Sequence, residues 1–103
     1  MVRLIAVVKP FRAHAVLQTL AELGIEDGTI REAKGYGRQK HKLHRYLGSE
    51  YDMAYLPKVE LSLFLDESLV PAAIRAIVGH ARTGRMGDGK ILILPCAHEA
   101  ICW

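Results

Sequence analysis

The run Thr83-Gly84-Arg85-Met86-Gly87-Asp88-Gly89-Lys90 gathers glycines, a hydroxyl and cations into one short segment. Glycine accepts φ > 0 and close main-chain approach, and successive N–H groups in such a loop can form a nest for an anion. The apolar run Ile91-Leu92-Ile93-Leu94 follows directly and reads as a buried strand. A basic, Gly-rich loop that feeds a core strand suits nucleotide phosphates. It is not a Walker loop, because the Gly-x-x-x-x-Gly-Lys-Ser/Thr spacing is missing and Ile91 follows Lys90. An ordinary hairpin or strand-opening turn uses the same Gly-Asp-Gly, so the loop alone leaves both readings open.

The elements that must position this loop follow from periodicity. Val2 to Lys9 is rich in aliphatic and β-branched residues, and Pro10 ends it, which predicts a first strand. From Arg12 to Leu23, Ala13, Val16, Leu17, Leu20 and Leu23 recur at helical spacing, with Gly24 as the stop. Asp27-Gly28 marks a turn before a second strand over Thr29 to Lys34, and Val59 to Leu65 alternates as a third strand. Ser68 is the expected N-cap of a second helix running to about His80, with Pro71 in its first turn. The loop at 82–90 and a strand at 90–95 complete the order β-α-β-β-α-β. That order predicts an α+β, ferredoxin-like sandwich, an antiparallel sheet with both helices on one face.

A chain of 103 residues is the size of one domain, taken here as 1–103. With 50% hydrophobic and 24% charged residues it has globular rather than disordered composition. A domain this small buries a limited share of its surface, so self-association would help stabilise it. No apolar run is long enough for a bilayer span and no signal peptide is recognisable, which predicts a cytoplasmic protein without membrane insertion. The two cysteines would then be reduced thiols. The net charge of +3 is concentrated around Arg38, Lys40, Lys42, Arg45 and Lys58. No helix-turn-helix, zinc-finger or aromatic RNA-binding signature accompanies it, so a solvated loop or a site for small anions is the expected use of these cations rather than nucleic acid.

Between the second and third strands a hairpin turn would suffice, yet the chain spends 36–55 there. Loops of that length in compact domains are functional or disordered. This one is entered at Gly35, carries Gly37, Gly48 and a dense polar load, and is expected to be an exposed effector loop.

At this point several motifs act together. Lys9-Pro10-Phe11, Gly35-Tyr36-Gly37-Arg38-Gln39-Lys40, Glu50-Tyr51, Leu56-Pro57-Lys58 and the Thr83 to Lys90 run occur in the order and register of one family. Across essentially its whole length the chain resembles the PII signal-transduction proteins. The resemblance implies a homotrimer of ferredoxin-like subunits with nucleotide sites between neighbours. ATP and ADP would compete for each site, and Mg²⁺-ATP would permit 2-oxoglutarate to bind beside it. The long loop would report that state to a target such as a membrane transporter or an enzyme of nitrogen metabolism.

By the same resemblance, Gly87, Asp88, Gly89 and Lys90 would hold the phosphates. Thr29, Gly35 and the backbone near Phe64 would frame adenine and ribose, with Gly37 and Arg38 at the base of the long loop. Gln39 would ligate Mg²⁺ and touch 2-oxoglutarate, and Lys58 would pair with that ligand's carboxylate. An amide oxygen suits Mg²⁺, and an ammonium suits a dicarboxylate. From spacing alone Gln39 and Lys58 read as solvated loop residues, and Lys9 as a strand-end charge. Tyr51 lies where many members are uridylylated.

The chain departs from the pattern in places. Ile101 and Trp103 stand where the family places arginines that reach a neighbour's nucleotide. Losing charge-assisted contacts to a triphosphate shifts the expected preference toward ADP or AMP. Leu47 replaces an arginine typical of members that plug ammonium channels, and Ser62 stands where an acidic residue is common. His41, His44, Cys96, His98 and Cys102 raise a second possibility, a thiolate and imidazole metal site. Exposed histidines and incidental thiols account for the same residues. A divergent regulator of metal, bicarbonate or other ion transport is therefore the alternative reading. An ATP-hydrolysing enzyme is disfavoured, since no paired carboxylates stand as a base and the turn accounts for Asp88.

Overall fold

In a computed structural model of the chain, the residues described are 1–36, 55–85 and 87–96. Strand β1, Val2–Val8, buries Val2, Leu4, Ala6 and Val8 in strict alternation, the period of a sheet with one covered face. Helix α1, Pro10–Glu22, starts earlier than its apolar periodicity indicates. Pro10 does not merely end the strand. It sits in the first helical turn, where its fixed φ and absent N–H are tolerated. Gly24, at φ 83°, closes the helix: its N–H bonds to the Ala21 carbonyl while the Ile25 N–H bonds to that of Leu20. This is the paired C-terminal arrangement that a left-handed glycine permits.

Strand β2, Thr29–Gly35, is followed on the far side of the long loop by β3, Leu56–Leu65. β3 begins before Val59 and includes Pro57, which the sheet accommodates because β1 pairs only as far as Val59. There β3 has β2 alone as neighbour, and a proline lacking its donor is tolerated at such a local edge.

The second helix, α2, spans Val70–Ala81, preceded by a 3₁₀ turn at Glu67–Leu69. Ser68 is not its N-cap. Its hydroxyl instead donates to the Asp66 carboxylate at 2.5 Å, holding that acid below its ordinary pKa, and the 3₁₀ turn supplies the helix start. Strand β4, Lys90–Pro95, completes a sheet of order β2-β3-β1-β4 with every neighbouring pair antiparallel.

Both helices bury a stripe: Val16 and Leu20 on α1, Ala73 and Ile77 on α2, four residues apart in each case. They join Leu4, Ala6, Leu61 and Leu63 of the central strands in one core. The opposite sheet face carries Arg3, Ile5 and Val7 of β1, and Lys58, Glu60, Ser62 and Phe64 of β3, by the register. β4 is not the buried strand its apolar run suggested. It pairs only with β1, and Leu92, Ile93 and Leu94 are each about two-fifths exposed. Apolar content reports that a strand is to be covered, but not whether the cover comes from its own chain.

Candidate functional site

The Gly-rich loop crosses the end of the sheet where β1 passes into α1 and β4 begins. Gly84 and Gly87 have φ of 85° and 92°, so the loop turns twice through the left-handed region that glycine alone enters cheaply. Gly89 is required for a different reason. A Cβ there would lie 3.0 Å from the Val7 carbonyl oxygen, so the loop backbone runs hard against β1. The Asp88 N–H bonds to the Arg85 carbonyl at 3.3 Å, and the Arg85 N–H to the Thr83 hydroxyl at 3.3 Å. Those two N–H groups are thus committed within the loop and are not part of an anion nest.

Asp88 is buried, at 5% exposure, and organises the loop from within. One carboxylate oxygen accepts the Thr83 hydroxyl, and the other pairs with the Lys9 ammonium at 3.6 Å. Lys58 is buried as well, at 4% exposure, and its ammonium donates to the Asp88 carbonyl at 2.8 Å and the Gly87 carbonyl at 3.3 Å. Its aliphatic stem passes over Gly35, where a Cβ would meet the Lys58 Cε at 3.0 Å and Cγ at 3.2 Å. Gly35 therefore leaves room for the lysine that ties β3 to the loop. Spacing alone did not reveal that Lys58 and Lys9 converge on Asp88. The signal available was that Lys9, Lys58 and Asp88 all fall at strand ends, and the sheet topology brings those ends together.

Beside the loop lies a cleft of about 430 Å³ between the end of α2 and the start of β4. That is within the range of roughly 300–1,000 Å³ usual for small-molecule sites. Ile77, Val78, Ala81 and Ile91 supply apolar wall, while Arg82, Arg85 and Lys90 bring cations to its lining. Asp88 is the acid among the lining residues, and it is already paired. The balance favours an anion.

The remaining candidates on β2 and β3 lie elsewhere. Thr29 pairs with Ser62, four residues along β3 from Lys58, a separation of about 13 Å at strand rise. Phe64 is farther still, half exposed, with the Arg3 guanidinium 6.0 Å from its ring centre. Arg3 Nε also donates to the Ser62 hydroxyl at 3.0 Å. The chain therefore holds its candidate residues in two groups. Gly35, Lys58, Gly87, Asp88, Gly89 and Lys90 stand at one end of the sheet, and Thr29 and Phe64 at the other.

Cys96 is half-buried, with its thiol 3.9 Å from the Leu94 carbonyl oxygen. No cluster of histidine, cysteine or acid side chains suited to a metal occurs among the described residues. His41, His44, His98 and Cys102 lie outside those residues, as do Gly37, Arg38, Gln39 and Tyr51. No helix among the described residues is long and apolar enough to cross a membrane.

Comparison with known proteins decides the family. The family described as nitrogen regulatory protein P-II matches residues 1–100. The chain belongs to the P-II family. Among relatives, the nitrogen regulatory protein P-II of Azospirillum brasilense is 48% identical over 90 residues, covering 87% of this chain and 80% of the relative. That of Rhodospirillum rubrum is 47% identical over 88 residues, covering 85% and 79%. Nitrogen regulatory protein P-II 1 of Escherichia coli K12 is 40% identical over 92 residues, covering 89% and 82%. The ferredoxin-like topology described above is the fold of this P-II chain, and the relatives are named as regulators.

Proposed function

We propose that this P-II chain is a signal-transduction regulator, not an enzyme, that senses adenine nucleotides and, with Mg²⁺-ATP, 2-oxoglutarate. The observation that carries the reading is the cation-lined cleft beside a glycine loop whose backbone runs against β1. Gly87, Gly89 and Lys90 would hold phosphates, with Arg38 added from the long loop. Gln39 would supply an oxygen to Mg²⁺, and Lys58 would bring its charge toward a dicarboxylate. The buried position of Lys58 on the loop carbonyls makes that charge dependent on loop geometry.

The division of the candidates between two ends of the sheet favours a site shared between copies. Half-exposed Phe64, Leu92 and Leu94 leave apolar surface on the face opposite the helices. Neighbouring copies in a homotrimer would cover that surface and bring Thr29 and Phe64 of one copy to the loop of the next. The 36–55 loop would then carry the state of the site to a transporter or an enzyme of nitrogen metabolism in the cytoplasm, with Tyr51 as a modification point.

Ile101 and Trp103, in place of arginines, favour one variation: a regulator of metal, bicarbonate or other ion transport that responds mainly to ADP or AMP. Calorimetric titration with ATP, ADP and AMP, each with and without Mg²⁺ and 2-oxoglutarate, tests both. The expected result is saturable nucleotide binding, with ADP at least as tight as ATP and 2-oxoglutarate heat only in the presence of Mg²⁺-ATP. ATP far tighter than ADP would contradict the effect assigned to Ile101 and Trp103. Nucleotide heat without any 2-oxoglutarate response would favour the ion-transport variation.

A further inference from the structure

The acidic side chain in the loop is an oddity for a phosphate site. A carboxylate next to phosphates repels them, yet Asp88 is buried in the middle of the segment proposed to hold them. Its contacts explain why it is tolerated. The two oxygens are turned to Thr83 and Lys9, and the residue's own carbonyl accepts from Lys58. These partners come from the start of the loop, from the β1–α1 junction and from β3, three separate parts of the chain. Gly84 and Gly87 are held in the left-handed region, and glycine loses more conformational freedom on folding than any other residue, so something must select this conformation from many.

We propose that Asp88 is a positioning residue, not a ligand group. With Lys9 and Thr83 it forms a clamp that fixes the loop in its anion-binding shape. Thr83 closes the loop on itself through Asp88, and its hydroxyl also accepts the Arg85 N–H, so the clamp sets the first turn. Lys9 anchors the closed loop to the junction after β1, where Gly89 already touches the Val7 carbonyl. The clamp also pairs the acid's charge with a cation, so that the remaining cations of the cleft face a ligand. This inference rests on the nucleotide reading and adds to it which residue shapes the site without touching the ligand.

The sign of one substitution separates positioning from simple charge. Asp88→Asn keeps the side-chain shape and an acceptor for the Thr83 hydroxyl but removes the charge that holds Lys9. If Asp88 acted only as a nearby negative charge, its neutralisation would tighten ADP. The clamp requires the opposite: ADP binding about tenfold weaker. Lys9→Met is expected to weaken ADP several-fold, and Thr83→Ser to retain most of the affinity that Thr83→Val loses.

The experiment is calorimetric ADP titration of the full chain and these variants, with circular dichroism and oligomeric state compared without ligand. Unchanged or tighter ADP binding by Asp88→Asn, with the unsubstituted chain binding normally, overturns the clamp alone. Failure of the unsubstituted chain to bind ADP overturns the nucleotide reading and the clamp with it. Should Asp88→Asn fail to fold, the Thr83→Ser and Thr83→Val pair decides: equal affinities overturn the clamp, and a loss confined to valine supports it.

Discussion

Lys58→Met is expected to lower both the stability of the chain and its affinity for nucleoside phosphates. Methionine matches the length of the lysine stem and its apolar packing, so the volume beneath the loop changes little. What disappears is the ammonium that donates to the Asp88 carbonyl at 2.8 Å and the Gly87 carbonyl at 3.3 Å. At 4% exposure, water does not simply take the ammonium's place. Gly87 is exposed and water can satisfy its carbonyl, but leaving the buried Asp88 carbonyl unsatisfied is expected to cost about 1–3 kcal/mol. Urea unfolding at matched chain concentration measures it, because any self-association makes the midpoint concentration-dependent. The loop would also lose its tie to β3, and nucleotide affinity should fall with stability. A midpoint shift equivalent to less than about 0.5 kcal/mol, the range of an ordinary surface substitution, would show that the bonds to the loop carry little.

Gly28→Ala is the second large effect, and it acts at the opposite end of the sheet. A Cβ at Gly28 would lie 2.6 Å from the Leu63 Cδ2 and 2.8 Å from the Ser62 carbonyl oxygen. The leucine methyl can rotate away, but the carbonyl belongs to β3, which is paired on both sides at Ser62, with Thr29 and with Ile5. The start of β2 must therefore move, and Thr29, the next residue, moves with it. Overpacking of this kind costs about 1–3 kcal/mol. The expected outcome is a lower urea midpoint together with weakened nucleotide binding, since Thr29 belongs to the group proposed to frame adenine and ribose, the base end of the site. Undiminished stability would mean that the β2–β3 pairing yields easily at this end.

Much of the fold was legible because the signals were local and redundant. β1 and β3 alternate with period 2, and α1 carries its apolar residues at helical spacing before a glycine stop. The order β-α-β-β-α-β followed from these, and the sheet order β2-β3-β1-β4 agrees with it. The departures arose where one residue type serves two geometries. Pro10 fits the end of a strand and the first turn of a helix equally well, and the chain uses it for the helix. Ser68 has the chemistry of an N-cap, but Asp66 two residues earlier offers its hydroxyl a nearer acceptor, and a 3₁₀ turn takes over. The run at 91–94 was apolar enough for a core strand and became an exposed edge instead. Hydropathy marks a strand as suited to burial without saying what covers it.

The candidate site's loop geometry was legible, and the arrangement of the residues around it was not. Gly84 and Gly87 announced a loop with special backbone geometry, and their positive φ values are what glycine is needed for. The convergence of Lys9 and Lys58 on Asp88 could not be read from spacing, because those residues are joined only through strand pairing distant in sequence. Gly35 looked like a ligand-framing glycine, and its geometry shows a further use, as clearance for the Lys58 stem.

The central claim is that the Gly-rich loop of one copy and the Thr29–Phe64 end of another form one nucleotide site. Complementation between two defective variants measures this directly. Lys90→Ala removes a loop-side cation, and Thr29→Trp fills the base end. Each is expected to bind ADP poorly alone. Unfolded together and refolded as mixed oligomers, they should recover ADP binding beyond the sum of the separate proteins, because some neighbouring pairs then combine an intact loop with an intact base end. A mixture that binds no more ADP than its separate components would contradict the shared site.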